Sequence, residues 1–178
     1  MNAQDRKYIS EFWGLKCAGQ LLPLFPNPKE VTESFGCFHA VWEFLDVQLK
    51  NPDVMIVVVG DGTKPRTAAT FALRSAWDCI SIDPMMVVKD YGIKRLLCID
   101  KKIEDTEKHI FENRLIIVLP HSHAKMPYVL NRLESSVRRD VVSLPCCVPH
   151  EIKDKHFEGY RDWSVWSEKN EFKIWKDV

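Results

Sequence analysis

Residues 54–73 read VMIVVVGDGTKPRTAATFAL. Val54 to Val59 form an apolar, mostly β-branched run with no polar alternation. A strand covered by helices on both faces of a parallel sheet needs such a run. Gly60 and Gly62 follow it. Both can adopt the positive φ of a tight turn and let a ligand approach the backbone closely. A helix is expected from Thr67 to Ser75. Its first N–H groups and positive dipole end would face the same turn and favour a carboxylate or phosphate. The third glycine of a G-x-G-x-x-G fingerprint is missing, and Lys64-Pro65-Arg66 fill the loop. Lys64 and Arg66 read as solvated loop charges or as partners of a phosphate-bearing ligand. A glycine turn with no ligand is the plain alternative.

Downstream the rhythm repeats. CISID (79–83), RLLCID (95–100), RLIIVLP (114–120) and DVVSLP (140–145) read as four further strands. Helices are expected over Met85–Tyr91, Glu104–Phe111 and Ala124–Val137, the last with Met126, Val129, Leu130, Leu133 and Val137 on one face. Strands alternating with helices imply parallel pairing through right-handed crossovers. At the end, RDWSVW and EFKIW flank the polar turn SEKN and read as an antiparallel hairpin. Upstream, Phe38, Val41, Trp42, Leu45 and Leu49 recur at helical steps over 38–50, and Asn51-Pro52 stops them. Before about Phe35 the prolines at 23, 26 and 28 argue for an irregular arm, which Phe12, Trp13, Leu21 and Leu24 would pack onto the rest. The expected fold is a three-layer, doubly wound α/β sheet, mostly parallel with a C-terminal antiparallel hairpin. It divides into an arm (1–37) and a domain (38–178).

Composition narrows the class. Of 178 residues, 46% are hydrophobic and 28% charged, which excludes wholesale disorder and fibrous repeats. Lys and Arg total 25 against 25 Asp and Glu, so a uniformly basic nucleic-acid coat is excluded, though a local patch is not. No apolar run approaches the ~18–20 residues that span a bilayer, and MNAQDRKYISEF does not resemble a signal peptide. The expectation is a cytoplasmic protein whose six cysteines are reduced.

Asp83 closes the second strand, where an acid can accept hydrogen bonds from both hydroxyls of a ribose. By the same logic Asp100, closing the third, could meet an adenine. His121 and His123 follow the fourth strand as a candidate base or substrate-orienting pair, with helix capping as the structural alternative. Cys146, Cys147 and His150 with these histidines make a conceivable zinc constellation. Adjacent cysteines on a strand would point to opposite faces, and no CxxC pair is present, so no metal is expected and the cysteines read as small hydrophobes. Trp163, Trp166 and Trp175 with Arg138, Arg139, Lys153, Lys155 and Arg161 could stack on RNA bases or a partner. A core role with a solvated face is the alternative, since Asp154, Glu158 and Asp162 are interspersed.

GDG at the first turn, IDP at the second strand end and the terminal hairpin together resemble class I S-adenosylmethionine-dependent methyltransferases, over roughly residues 38–178. The resemblance implies S-adenosylmethionine as cofactor, with Gly60, Asp61 and Gly62 along its methionine end and Asp83 on its ribose. LPHSHA (119–124) and LPCCVPH (144–150) are similar to segments of a branch that includes RNA-modifying enzymes. No Asn/Asp-Pro-Pro-aromatic motif and no Lys-Asp-Lys-Glu tetrad stands out, so the methyl acceptor stays open. The alternative function is a non-catalytic Rossmann-like binding or scaffold protein, with arm and hairpin as partner surfaces. A nicotinamide-dependent oxidoreductase fits the first unit but not the hairpin.

Overall fold

The computed structural model describes residues 7–178. Five strands run parallel: β1 (Val54–Val59), β2 (Asp78–Ile82), β3 (Leu96–Ile99), β5 (Arg114–Pro120) and β7 (Arg139–Leu144). The pair β8 (Glu158–Arg161) and β9 (Glu171–Trp175) closes one edge, with β9 antiparallel to β7 and to β8. The order across the sheet is β3-β2-β1-β5-β7-β9-β8. A separate two-stranded parallel ladder joins β4 (His109–Phe111) to β6 (Leu133–Ser135).

The apolar runs are buried on both faces. Ile56 and Val58 of β1, with Ile116 and Val118 of β5, meet Phe35, Phe38, Phe71 and Trp77 on one side. That side carries α1 (Lys7–Gly14), α2 (Ala18–Leu21), α3 (Pro28–Phe44) and α4 (Arg66–Arg74). Val57, Val59, Ile117 and Leu119 point the other way, onto Ile103 and onto Met126 and Val129 of α5 (Met126–Arg132). At the far end of the sheet the fully buried Asp140 is neutralised by Arg114 (2.7 Å) and Arg138 (2.9 Å).

Several sequence expectations are corrected. The segment before Phe35 is helical, and α3 begins at Pro28 rather than at Phe38. Asn27 caps α3 by accepting the Glu30 N–H (3.0 Å), and Pro28 takes the first helical position, where its missing N–H costs nothing. Residue 37, where the arm was expected to end, therefore lies inside α3. Met85–Tyr91 is loop, with Met85, Val87 and Val88 exposed. Over 104–111 only a single 3-10 turn (Ile103–Asp105) and β4 form, and α5 stops at Arg132, where β6 begins. The first hairpin strand is EGYR, so RDWSVW supplies only its first residue to a strand, and residues 162–170 form a long connection.

That connection is tied down. The Tyr8 hydroxyl donates a short hydrogen bond to the Asp162 carboxylate, and the Trp166 N–H donates to Thr32 Oγ1 (3.0 Å). A Cβ on Gly36 of α3 would lie 2.6 Å from Val165 Cγ2, so only glycine lets the loop lie this close to the helix.

Candidate functional site

The chain leaves β1 toward β2 and β3, then returns to β5 and β7 on the other side, so the strand order reverses between β1 and β5. Loops at that point diverge and leave a crevice at the carboxyl ends of the strands. Two cavities occupy it, of about 710 and 350 Å³, and both are lined by Gly60, His121 and His123. The larger lies under α3 and residues 166–169, with Lys29, Glu30, Glu33, Ser34, Arg66 and Cys146 also on its walls. The smaller extends over β2 and β3 to Ile82, Asp83, Met85, Lys102 and Ile103.

Gly60 has φ +88°, and a Cβ there would lie within 2.6–2.9 Å of Ser122. The ends of β1 and β5 approach this closely because no side chain separates them. Asp83 is buried at the rim of the smaller cavity; one carboxylate oxygen accepts the Gly62 N–H (2.8 Å) and the other the Met85 N–H (2.7 Å). Each oxygen keeps a further lone pair for a ligand.

Asp61 is buried beneath the turn and accepts the N–H groups of Thr67 (2.8 Å) and Ala68 (3.0 Å) and the hydroxyl of Ser81 (3.1 Å). The start of α4, expected to face a ligand, is thus closed by an internal carboxylate. Burial outweighs these donors and pushes the Asp61 carboxyl up to about 6. Lys64 and Arg66 are corrected from solvated charges to ties on the preceding segment. Lys64 donates to the Pro23 carbonyl (2.6 Å), and Arg66 donates to the carbonyls of Leu24 (3.1 Å) and Asp61 (3.2 Å) and pairs with Glu30 (3.4 Å). Asp100 sits off the crevice, ion-paired to Lys89 (3.0 Å); Lys102 and Ile103 occupy the β3 end of the smaller cavity instead.

His121 follows β5 with φ +50°, its N–H donating to the Leu144 carbonyl of β7 (2.8 Å). Its Nε2 lies 2.9 Å from the Glu33 carboxylate of α3. Burial alone would raise the Glu33 carboxyl, but the hydrogen bond and charge of His121, with Lys29 at 3.2 Å, hold it below the ordinary carboxylate range. The buried Nδ1 of His121 has no hydrogen-bond partner among the described residues. Sequence reasoning missed Glu33. The signal that could have found it was Asn27-Pro28-x-Glu30, a helix start that puts Glu33 one turn inside.

His123 is on the surface, its Nε2 3.3 Å from Cys147 Sγ. Cys146 and Cys147 stand beyond the end of β7, in a loop rather than on a strand, and their sulfurs are 3.6 Å apart. The expectation of opposite-facing, core-filling cysteines is corrected on that ground. His150 is separate: it is fully buried, 2.5 Å from the Ser143 hydroxyl, and burial holds it below its ordinary value, hence neutral. Of the hairpin tryptophans, Trp175 is core, Trp163 is exposed and Trp166 lines the larger cavity.

No family model matches the chain, and no curated protein matches it. Solved structures do. A variant of MtNAS in complex with S-adenosylmethionine superposes with a TM-score of 0.55 at 11% identity, covering 98% of this chain and 72% of that one. MtNAS in complex with MTA and tNA gives 0.52 at 12%, over 98% and 70%. A SAM-dependent methyltransferase from Aquifex aeolicus gives 0.52 at 12%, over 90% of this chain and 98% of that one. The chain has the class I methyltransferase fold. The reversed terminal pair β8–β9 belongs to that fold.

Proposed function

We propose that the chain is an S-adenosylmethionine-dependent methyltransferase whose base is Glu33, oriented by His121. The observation that carries this reading is the His121–Glu33 pair, in which His121 lines both cavities and Glu33 the larger. The smaller cavity offers Ile82, Met85 and Ile103 to an adenine and the Asp83 carboxylate to ribose hydroxyls. The larger offers Lys29, Arg66, Glu30 and Ser34 to a zwitterionic amino-acid end. These residues suit S-adenosylmethionine, which when bound supplies an activated methyl group on a sulfonium.

What the protein must add is alignment and, for a protonated acceptor, a place for the proton. Glu33 accepts the Nε2–H hydrogen bond of His121 and lines the larger cavity. The Glu33 carboxylate receives the acceptor's proton, and the His121 N–H holds that carboxylate in place for the transfer. For the acceptor, single-stranded RNA is supported by the wall of the larger cavity and by the β8 end and connection that lead to it. Trp166 stands on the cavity wall, the Arg161 guanidinium lies 5.2 Å from the exposed Trp163 ring, and Lys29 and Lys169 border the opening. Aromatic faces interleaved with cations suit unpaired bases and phosphates.

A second reading, a binding protein that keeps the fold without the chemistry, is favoured by the start of α4, which Asp61 closes. Isothermal titration separates the readings. Micromolar binding of S-adenosylmethionine and S-adenosylhomocysteine, none of NADH, and loss of both in Asp83→Ala are expected. No binding at millimolar ligand by folded protein overturns the enzyme. With labelled cofactor and total RNA, Glu33→Gln is expected to keep binding and lower methyl incorporation by roughly 10²–10⁴-fold. Binding without incorporation into RNA or protein favours the second reading.

A further inference from the structure

The function proposed above uses neither Cys146 nor Cys147, and their arrangement with His123 calls for another explanation. The two sulfurs are 3.6 Å apart, Cys147 Sγ is 3.3 Å from His123 Nε2, and all three ligand atoms lie within 4.8 Å of one another. A tetrahedral zinc ion with bonds of ~2.3 Å to sulfur and ~2.0–2.1 Å to nitrogen would set S···S edges near ~3.8 Å and S···N edges near ~3.5 Å. Two of the three edges, Cys146–Cys147 and Cys147–His123, already stand close to those values. The geometry points to a zinc site formed by His123, Cys146 and Cys147, with a fourth position open to solvent or a ligand.

The fold explains how sequence-adjacent cysteines face one ion. β5 and β7 are neighbours in register, Pro120 opposite Leu144, so the loops that follow them emerge side by side. Positive φ at His121 turns the first loop, and Cys146 Sγ lies 3.4 Å from the His121 carbonyl. Pro145 and Pro149 bracket the cysteines and stiffen their backbone. Extended strand geometry, which would separate the two thiols, ends at Leu144.

Two thiolates and a neutral imidazole are a soft donor set that favours zinc over magnesium or calcium. Binding releases both thiol protons to solvent and leaves a centre of no net charge. His123 and Cys146 both line the larger cavity, so the open position faces the crevice. A three-ligand site with a free position is the arrangement of reactive rather than purely structural zinc.

The test is titration of reduced, chelator-stripped protein with Co²⁺ and then Zn²⁺. One equivalent of Co²⁺ is expected to raise a thiolate-to-cobalt charge-transfer band and tetrahedral d–d bands, which Zn²⁺ removes. Cys147→Ser and His123→Ala are each expected to lower affinity by more than the roughly 10–100-fold that loss of an outer partner costs; Cys17→Ser leaves it unchanged. Far-ultraviolet circular dichroism checks the fold of each variant, and His123 and Cys147 are exposed, so their loss leaves the core intact. No charge-transfer band in the folded, reduced protein overturns the site. So does a band that survives the double substitution Cys146→Ser/Cys147→Ser.

Discussion

Asp61 carries a negative charge where the sequence pattern leaves room for a ligand's. Its carboxylate holds the first N–H groups of α4 from inside, and the burial that places it there pushes its carboxyl up to about 6. A folded-state value above the ordinary one means the native state holds this proton more tightly than the unfolded chain does. The contribution to stability is then complete below about pH 4 and is lost as pH rises through about 6. Relative to Asp61→Asn, the wild type is expected to lose about 2–3 kcal/mol between those limits and nothing further above them, measured by urea unfolding across pH. A difference that grows more favourable to the wild type with rising pH would show that the three donors outweigh burial. Gly60 makes a different residue-scale point. Positive φ and the adjoining Ser122 both demand glycine there, so the close approach of β1 to β5 is a backbone property.

At the scale of elements, α3 does more than cover the sheet. It contributes Phe35 and Phe38 to the core and Lys29, Glu30, Glu33 and Ser34 to the crevice. Its start is set by Asn27 and Pro28. Asn27→Ala is expected to cost about 1 kcal/mol and Asn27→Gly only a few tenths, read from urea midpoints. Equal costs for the two would mean that the Asn27 side chain does not cap the helix. The crossover from β2 to β3 makes the opposite case. Residues 84–91 include Met85, Val87 and Val88, but all three stay exposed, and the segment is a loop whose Met85 borders the smaller cavity.

Across the whole molecule, the crevice is assembled from distant parts. α1 holds the 162–170 connection through Tyr8 and Asp162, and that connection forms the wall carrying Trp166 and Lys169. Burial and the Asp162 charge push the Tyr8 hydroxyl well above its ordinary value, so it stays a donor at any physiological pH. Tyr8→Phe leaves Asp162 buried without this donor and is expected to cost roughly 1.5–3 kcal/mol. Hydrogen exchange over 162–170 should quicken while β1 and β5 stay protected. Uniform acceleration would mean instead that the tie serves global stability alone.

The apolar runs at 54–59 and 114–120, and the shorter one within 140–145, were legible because a strand buried on both faces is apolar at most positions, a property of consecutive residues. Alternation with intervening segments made the parallel sheet readable, and the positions of Gly60, Asp83, His121 and His123 at strand ends followed from it. The arm was misread because prolines count as breakers unless the capping residue before them is weighed, and Asn27 precedes Pro28. What pairs with what was decided only in three dimensions. Glu33 and His121 are 88 residues apart in sequence, and His123 and Cys147 are 24 apart. Each pair meets because β1, β5 and β7 lie side by side with α3 packed over them. Local pattern records which faces of an element are apolar; which side chains meet over the strand ends depends on how those faces pack together, and that is set by the tertiary structure.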